Sequence, residues 1–380
     1  MKILHCCLSC FYVDNFKYQE NLLPRQNKLD GHIVKILAST EVFINSELGY
    51  INAGKYINED GIEVIRVPYR KFLPVTIMKK IRFYKGVYSI LESFKPDVIF
   101  FHGTAAGELL TFVKYMKKYK STQFYVDSHE AFHNTAKTKI SKFVYKYIHG
   151  FFLKSAMPYI NKIFYIEQES KEYLKNMYHI KEDMLEWYPL GGVVFSDKDY
   201  SGKRKYVREK LDVKKDEILL LHSGKMDKYK KTRDILEAFS EVSNEKLRLV
   251  LIGSFPDNVW TEVKPYIERN DRILFLGWKS GDELLNYLCA ADLYLQPGGC
   301  SATLQNAICC NCGIVIYPHI EYKKYHEFNN CLFVKTTEDI KKVLERIIEE
   351  PQIVYKLQLA SQKVGQEIFD YKKLAMRIYE

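Results

Sequence analysis

The chain has 380 residues, 47% hydrophobic and 27% charged, too long for one ordinary core and suited to two domains of roughly 100–200 residues each. No run approaches the ~18 uninterrupted apolar residues that a membrane-spanning helix needs. The formal net charge is +10, and residues 1–190 hold most of the excess, with 27 Lys/Arg against 19 Asp/Glu, the remainder being nearly balanced at 30 against 28. Basic residues alternate with aromatic ones in Lys79–Lys85, Lys114–Lys120 and Lys137–Lys154; such segments suit an anionic membrane surface or, equally, solvated helix faces. No nucleic-acid recognition pattern is present, so nucleic acid is not an expected partner. The nine cysteines lack the spacing of a secreted disulfide framework. Cys309 and Cys312 form a CxxC with no second pair at zinc-finger distance, so buried reduced thiols are expected and no metal. The N-terminus MKILHCCLSC reads as a first strand rather than a signal peptide, and cytoplasm is the expected location.

Along the chain, short apolar runs alternate with longer amphipathic ones, the pattern of parallel strands joined by helices. Strands are predicted at Lys2–Leu8, His32–Ala38, Ile62–Pro68, Asp97–His102, Gln123–Asp127 and Lys162–Ile166. Helical patterns cover the stretch from Tyr18 that ends before Gly31, Val75–Ser93, Gly107–Lys118 and Thr138–Ile160, the last broken near Pro158. The second half repeats the logic, with strands at Glu217–Ser223, Arg248–Ile252, Ile273–Phe275, Leu293–Gln296, Ile314–Tyr317 and Cys331–Val334. Its helices are predicted at Thr232–Val242, Ser280–Ala290, Ser301–Cys309 and Thr337–Glu349. The polar stretch Ser196–Asp216 lies between the halves. The expected domains are therefore 1–190, 191–360 and a C-terminal helix over 361–380.

Two segments carry chemistry. In the first, LLLHSGKMDKYKKTRDILEAF (Leu219–Phe239), a buried strand ends at Gly224. Lys225, Lys228, Lys230 and Lys231 follow at once, and then a helix begins. Fixed cations at a helix N-terminus suit a diphosphate, and they stabilise the negative charge that grows on one acting as a leaving group. In the second, LYLQPGGCSATLQNA (Leu293–Ala307), a strand runs into a Pro-Gly-Gly turn that opens another helix. The backbone amides of such a turn can approach a phosphate or a sugar closely.

The order and spacing of these parts resemble a GT-B glycosyltransferase of the group-1, family-four type, clearly over Glu217–Val334 and more loosely over Pro96–Tyr188. The resemblance implies an α/β fold of two Rossmann-like domains facing each other across a cleft. It also implies a retaining, metal-independent transfer from a UDP- or GDP-sugar, with no other cofactor, to a glycan or lipid-linked acceptor in surface polysaccharide assembly, on the inner face of the membrane. Lys225 and Lys230 match the family's Arg and Lys of the phosphate loop. The family's paired glutamates fall on Gly298 and Asn306, so both acids are missing. Gly224, Gly299, Cys300, Ser301 and Ala302 would line the donor, and Asn306 or Gln305 would meet the ribose. Ser254 and Trp278 mark the loops nearest the base, where Trp278 either stacks or packs.

In the first half, His129 matches a family histidine near the donor sugar and His102 a second one, with Asp127 or Glu130 placed to orient them. Tyr12, Tyr18 and Gln19 suit an acceptor wall, and core packing explains the aromatics equally well. The missing acids keep open a non-catalytic GT-B subunit that binds nucleotide or glycan. A nucleotide-sugar epimerase is the other alternative.

Overall fold

In the computed structural model, which describes residues 1–44, 47–299, 301 and 303–380, the first half contributes ten strands. They are β1 (Lys2–Cys7), β2 (Ile33–Ser39), β3 (Glu41–Ile44), β4 (Glu47–Tyr50), β5 (Gly54–Ile57), β6 (Glu63–Val67), β7 (Val98–His102), β8 (Gln123–Ser128), β9 (Lys162–Tyr165) and β10 (Leu185–Trp187). Eight form one sheet in the order β10-β9-β8-β7-β1-β2-β6-β5, and β3 and β4 pair separately as an antiparallel hairpin. All pairings in the large sheet are parallel except that of β5 with β6. Helices cover both faces of a parallel sheet, so its strands must be apolar throughout. Accordingly every residue of β7 is buried, as is β1 from Ile3 onward.

The second half adds β11 (Ile218–Lys225), β12 (Leu247–Ser254), β13 (Ile273–Phe275), β14 (Leu293–Gln296), β15 (Gly313–Ile316) and β16 (Cys331–Phe333). Their order, β13-β12-β11-β14-β15-β16, is all parallel. It is the doubly wound 3-2-1-4-5-6 arrangement, whose strand order reverses between β11 and β14. The chain divides into two compact units, Met1–Pro189 with Leu374–Glu380, and Leu190–Lys373, each around its own apolar cluster.

Several local expectations are corrected. The polar stretch between the halves, for which no helix is predicted, forms one over Asp197–Lys210, capped by the Ser196 hydroxyl. Its Arg204 and Arg208 both reach the Asp292 carboxylate, at 2.5 and 3.0 Å, and Asp292 also accepts the Leu219 amide at 2.8 Å. The pattern over Val75–Ser93 is two helices, Val75–Ile81 and Val87–Phe94, because Arg82 and Gly86 take positive φ between them. The segment expected as one final helix is a helix ending at Val364, a π-helical turn Gly365–Phe369 and a short helix Tyr371–Met376.

Residues from Leu374 onward belong to the first unit. The Tyr188 hydroxyl donates to the Leu374 carbonyl at 2.6 Å, and the Tyr379 hydroxyl to Asp30 at 2.6 Å. The Arg377 guanidinium pairs with Glu186 and lies 4.7 Å above the Tyr188 ring. No helix among the described residues is long and apolar enough to cross a membrane. Cys309 and Cys312 are free, buried thiols that face different carbonyls, Gly365 and Leu288.

Candidate functional site

The second unit gathers its chemical groups where β11 and β14 diverge. Gly224 and Gly253 are register partners at the carboxyl ends of β11 and β12. A side chain on Gly253 would put a Cβ 1.8 Å from the Gly224 carbonyl oxygen, and Gly253 has φ +148°, so only glycine lets the two strands run side by side here. Beyond Lys225 the chain makes a single 3-10 turn, Lys228–Lys230, held by the Asp227 carboxylate accepting the Tyr229 amide at 2.9 Å. Lys231 is left-handed and begins the helix Thr232–Glu241 without a side-chain cap, leaving first-turn amides for a ligand.

Beneath this turn lies buried His222. Its Nδ1 donates to the Leu295 carbonyl at 2.8 Å, so its Nε2 accepts from the Thr232 hydroxyl at 2.9 Å. Burial, with Lys230 nearby, lowers its pKa to about 4. A neutral imidazole therefore ties β11, β14 and the helix start together.

The Pro-Gly-Gly turn packs directly on the lysine turn. The Gly299 amide donates to the Tyr229 carbonyl at 2.9 Å, and the Lys230 ammonium donates to the Gly299 carbonyl at 3.2 Å. A Cβ on Gly298 would stand 2.0 Å from the Tyr229 oxygen, which explains the bare backbone at that position. Lys225 is exposed and Lys230 half-buried. Lys231 is turned away, donating to the Lys335 carbonyl at 3.1 Å.

The first unit has a buried polar chain at the matching switch point, where β1 and β7 adjoin. With the Asn27 carbonyl oxygen facing His5 Nε2 at 2.8 Å, that nitrogen must donate, so His5 Nδ1 accepts from His102 Nε2 at 3.1 Å. His102 Nδ1 in turn meets Asp127 Oδ2 at 2.7 Å. Both nitrogens of His102 thus donate, which makes it an imidazolium paired with a carboxylate. Burial disfavours that charge, but Asp127 outweighs it and raises the His102 pKa to about 9. Burial also opposes the Asp127 charge, yet His102 and His129 hold its pKa well below the usual carboxylate range. Burial and the neighbouring imidazolium lower His5 to about 3.

His129 stands at the open end of this chain, one-third exposed, with Nε2 3.5 Å from the same Asp127 oxygen. That distance is an ion pair rather than a formed hydrogen bond. It suffices, against burial, to raise the His129 pKa to about 9.

Residues 203–363 match the family model of glycosyl transferases group 1. The second unit is a group-1 glycosyltransferase domain. Solved structures resemble the whole chain. HepE of Anabaena in complex with UDP is 13% identical with a TM-score of 0.65, over 100% of this chain and 98% of that one. A glycosyltransferase of Rickettsia africae is 14% identical with a TM-score of 0.67, over 99% and 96%. WaaG, a glycosyltransferase involved in lipopolysaccharide biosynthesis, is 14% identical with a TM-score of 0.61, over 99% of each chain. No curated protein sequence matches. The chain has the GT-B fold, and its eight-stranded and six-stranded sheets belong to the two Rossmann-like domains.

Within the glycosyltransferase domain, Gly224, Lys225, Lys230, Gly298 and Gly299 come together. Ser254 pairs with Lys225 across the strands and accepts the Met226 amide at 2.8 Å through its carbonyl. Trp278, 69% exposed, does not pack in the core. Ser301 precedes the helix, and its hydroxyl accepts the Thr303 amide at 3.3 Å. Cys300 and Ala302 lie outside the described residues. Asn306 is occupied, its side-chain oxygen accepting the Val193 amide at 3.1 Å. Gln305 beside it donates to Tyr325 at 3.1 Å, while its own carbonyl oxygen is buried without a partner.

In the first unit, Tyr12 is fully buried, bonded to Asn58 and covered by the Arg66 guanidinium; it is core, not acceptor wall. His102 is fully buried as well and positions His129 through Asp127 rather than meeting a ligand. Glu130 holds the loops together, accepting from Thr104 and Ser128. Tyr18 is exposed, packed edge-on against Phe16. Gln19 is buried with both amide atoms unpartnered. His5 and Asn27 were not foreseen, although a histidine inside the apolar run KILHCC is itself a signal of a buried polar network.

A Gly253→Ala substitution tests the backbone argument. The clash with Gly224 and the positive φ should destabilise the domain by more than ~1 kcal/mol and weaken nucleotide binding. Gly202→Ala, inside the helix Asp197–Lys210 with open space around its Cβ, should instead stabilise by up to ~1 kcal/mol. Urea unfolding of both variants reads the opposite signs.

Proposed function

We propose that the chain transfers a sugar from a UDP- or GDP-sugar to a glycan or lipid-linked acceptor, with retention and without a metal, in surface polysaccharide assembly. The observation that carries this reading is the contact between the lysine turn and the Pro-Gly-Gly turn, which fixes the Lys230 ammonium at the switch point of the donor domain. As the anomeric carbon–oxygen bond breaks, the departing diphosphate gains negative charge. Lys230, Lys225 and the first-turn amides of the helix at Thr232 stabilise that charge more than they stabilise the intact donor. The acceptor hydroxyl attacks the same face of the sugar, and its proton passes to the leaving phosphate oxygen.

A covalent alternative needs a free carboxylate. In the first unit Asp127 is ion-paired and Glu130 accepts from three groups, which favours the front-face route. His129 offers a charged N–H to a sugar hydroxyl. The complexes of HepE with UDP and with UDP-glucose support a uridine donor, and the role of WaaG supports a lipopolysaccharide-type acceptor.

A non-catalytic, donor-binding role is the second reading, favoured by the missing acids and by the engaged Asn306 oxygen. Incubation with UDP- and GDP-sugars separates the two. Saturating nucleotide, at about 100 times its Kd, should add about 2.7 kcal/mol of stability under either reading. Release of free nucleoside diphosphate, unaffected by EDTA, is expected only of the enzyme. If no nucleotide raises the thermal midpoint, both readings fail.

A further inference from the structure

Arg82 links the helices Val75–Ile81 and Val87–Phe94 in a left-handed conformation, φ +56°. That conformation is uncommon for arginine, and here the backbone is fixed on both sides. The Arg82 amide donates to the Met78 carbonyl at 2.7 Å, and its carbonyl accepts the Glu108 amide at 3.0 Å. The side chain is fixed as well. Its Nη1 donates to the Ser9 carbonyl, to the Ser9 hydroxyl at 3.0 Å and to the Ala105 carbonyl at 3.3 Å. Ser9 follows β1 and Ala105 follows β7, so the guanidinium is moored to both loops at the switch point of the first unit.

All three side-chain bonds come from Nη1. Among the described residues Nε and Nη2 donate to no acceptor, and no carboxylate stands within ion-pair distance of Arg82. Glu130 acts on the charge only through space, its oxygens accepting from Thr104 and Ser128. Arg82 is nevertheless only partly exposed, and a charge drawn out of water without a partner is costly to keep. The Nε–Nη2 edge is one that takes a carboxylate or phosphate by two parallel hydrogen bonds. Tyr145, also partly buried, is close enough for the guanidinium to act on its hydroxyl.

We infer that Arg82 binds an anionic group of the acceptor, a phosphate or a carboxylate, through its Nε–Nη2 edge. Calling that ligand the acceptor rests on the sugar-transfer reading, whereas the anion site rests on the first unit. Ligands of open α/β sheets sit beyond the carboxyl ends of the strands where the strand order reverses. Ser9 and Ala105 hold the unbonded edge at that place. Bridging two loop carbonyls requires neither a full charge nor a free fork, so the loop contacts do not by themselves account for an arginine here.

The test is thermal unfolding of the full chain at constant ionic strength, in two steps. Saturation with UDP or GDP comes first and reports on the donor domain by itself. Glucose 6-phosphate, glucuronate or glucose is then titrated into the nucleotide-bound protein. An anionic sugar should raise the midpoint further, while glucose at the same concentration should not. Preference between the two anions tells a phosphorylated acceptor from an acidic sugar. In Arg82→Gln the apparent affinity for the anion should fall roughly 10- to 100-fold. Arg82→Lys, which keeps the charge but not the fork, should lie between that variant and the wild type. Ser9→Ala removes a loop contact and keeps the fork, so it should retain most of the anion affinity. Equal response to glucose and to the anions, wild-type anion binding by Arg82→Gln, or a loss in Ser9→Ala as full as in Arg82→Gln would each overturn the inference. Absence of any nucleotide shift would count against the sugar-transfer reading instead, and the anion comparison would then be read on the free chain.

Discussion

Replacing Lys230 by alanine should lower the rate of sugar transfer by about 10²–10³-fold, as removal of one preorganised charge-stabilising donor does elsewhere. The effect should fall mainly on kcat, because the ammonium acts on charge that appears only as the diphosphate departs. Lys230 is half-buried and set in place by the Gly299 carbonyl, so it need not be reorganised during the reaction. Lys225 is exposed at the strand end, where water screens its charge, and Lys225→Ala should cost less. Lys230→Arg should restore part of the rate, since the charge survives while the shape does not. A Lys230→Ala enzyme with undiminished kcat would mean that the leaving group departs elsewhere.

Converting Asp127 to asparagine should cost about 3 kcal/mol of stability, the usual result of stripping one partner from a buried ion pair. The Gly103 amide, which donates to Asp127 Oδ1 at 2.8 Å, can keep its acceptor, so the loss isolates the charge. The pH dependence gives a sharper readout. His102 and His129 have folded pKa values near 9, above the ordinary value, so the stability they contribute is present below about pH 6.5 and is lost as pH rises toward 9. His5, His149 and His222 are shifted the other way, to about 3, 4 and 4. The unfolded chain therefore takes up protons that the folded chain refuses, and stability also falls as pH drops below about 6.5. The wild-type curve should peak near pH 6.5. In Asp127→Asn the alkaline limb should flatten while the acid limb remains, and histidine NMR titrations should show His102 and His129 no longer charged at pH 8. An unchanged alkaline limb would refute the ion-pair assignment.

What was legible in the sequence follows from where the physics is local. A parallel strand buried on both faces must be a short apolar run, so β13 and β14 match their predicted bounds and the other predicted strands lie within a residue or two, while the short, partly exposed β10 is not foreseen. The phosphate turn was readable because a glycine, clustered lysines and a helix start are contiguous. Departures came from forces set by distant partners. The stretch Asp197–Lys210 has no apolar stripe to mark it as a helix, its only buried residue being Val207, and Asp292, far along the chain, supplies the charge that binds Arg204 and Arg208. The edge strand β5 and the β3–β4 hairpin are short and half-exposed, so they lack the apolar run that betrays a central strand. Tyr12 invites a binding role by its place after β1, and only the three-dimensional position of Arg66 and Asn58 turns it inward. The histidine chain spans β1, β7, β8 and the helix carrying Asn27, a spacing that no local pattern encodes.

The return of Leu374–Glu380 to the first unit has a bearing on biosynthesis. A ribosome emits Asp30, Glu186 and Tyr188 long before their partners Tyr379, Arg377 and Leu374, and the entire donor domain is made in the interval. The N-terminal domain must therefore wait, lacking its closing strap, while its successor folds. A nascent chain stalled ahead of Leu374 should expose Trp187 and Tyr188 to protease, and release of the finished chain should restore their protection.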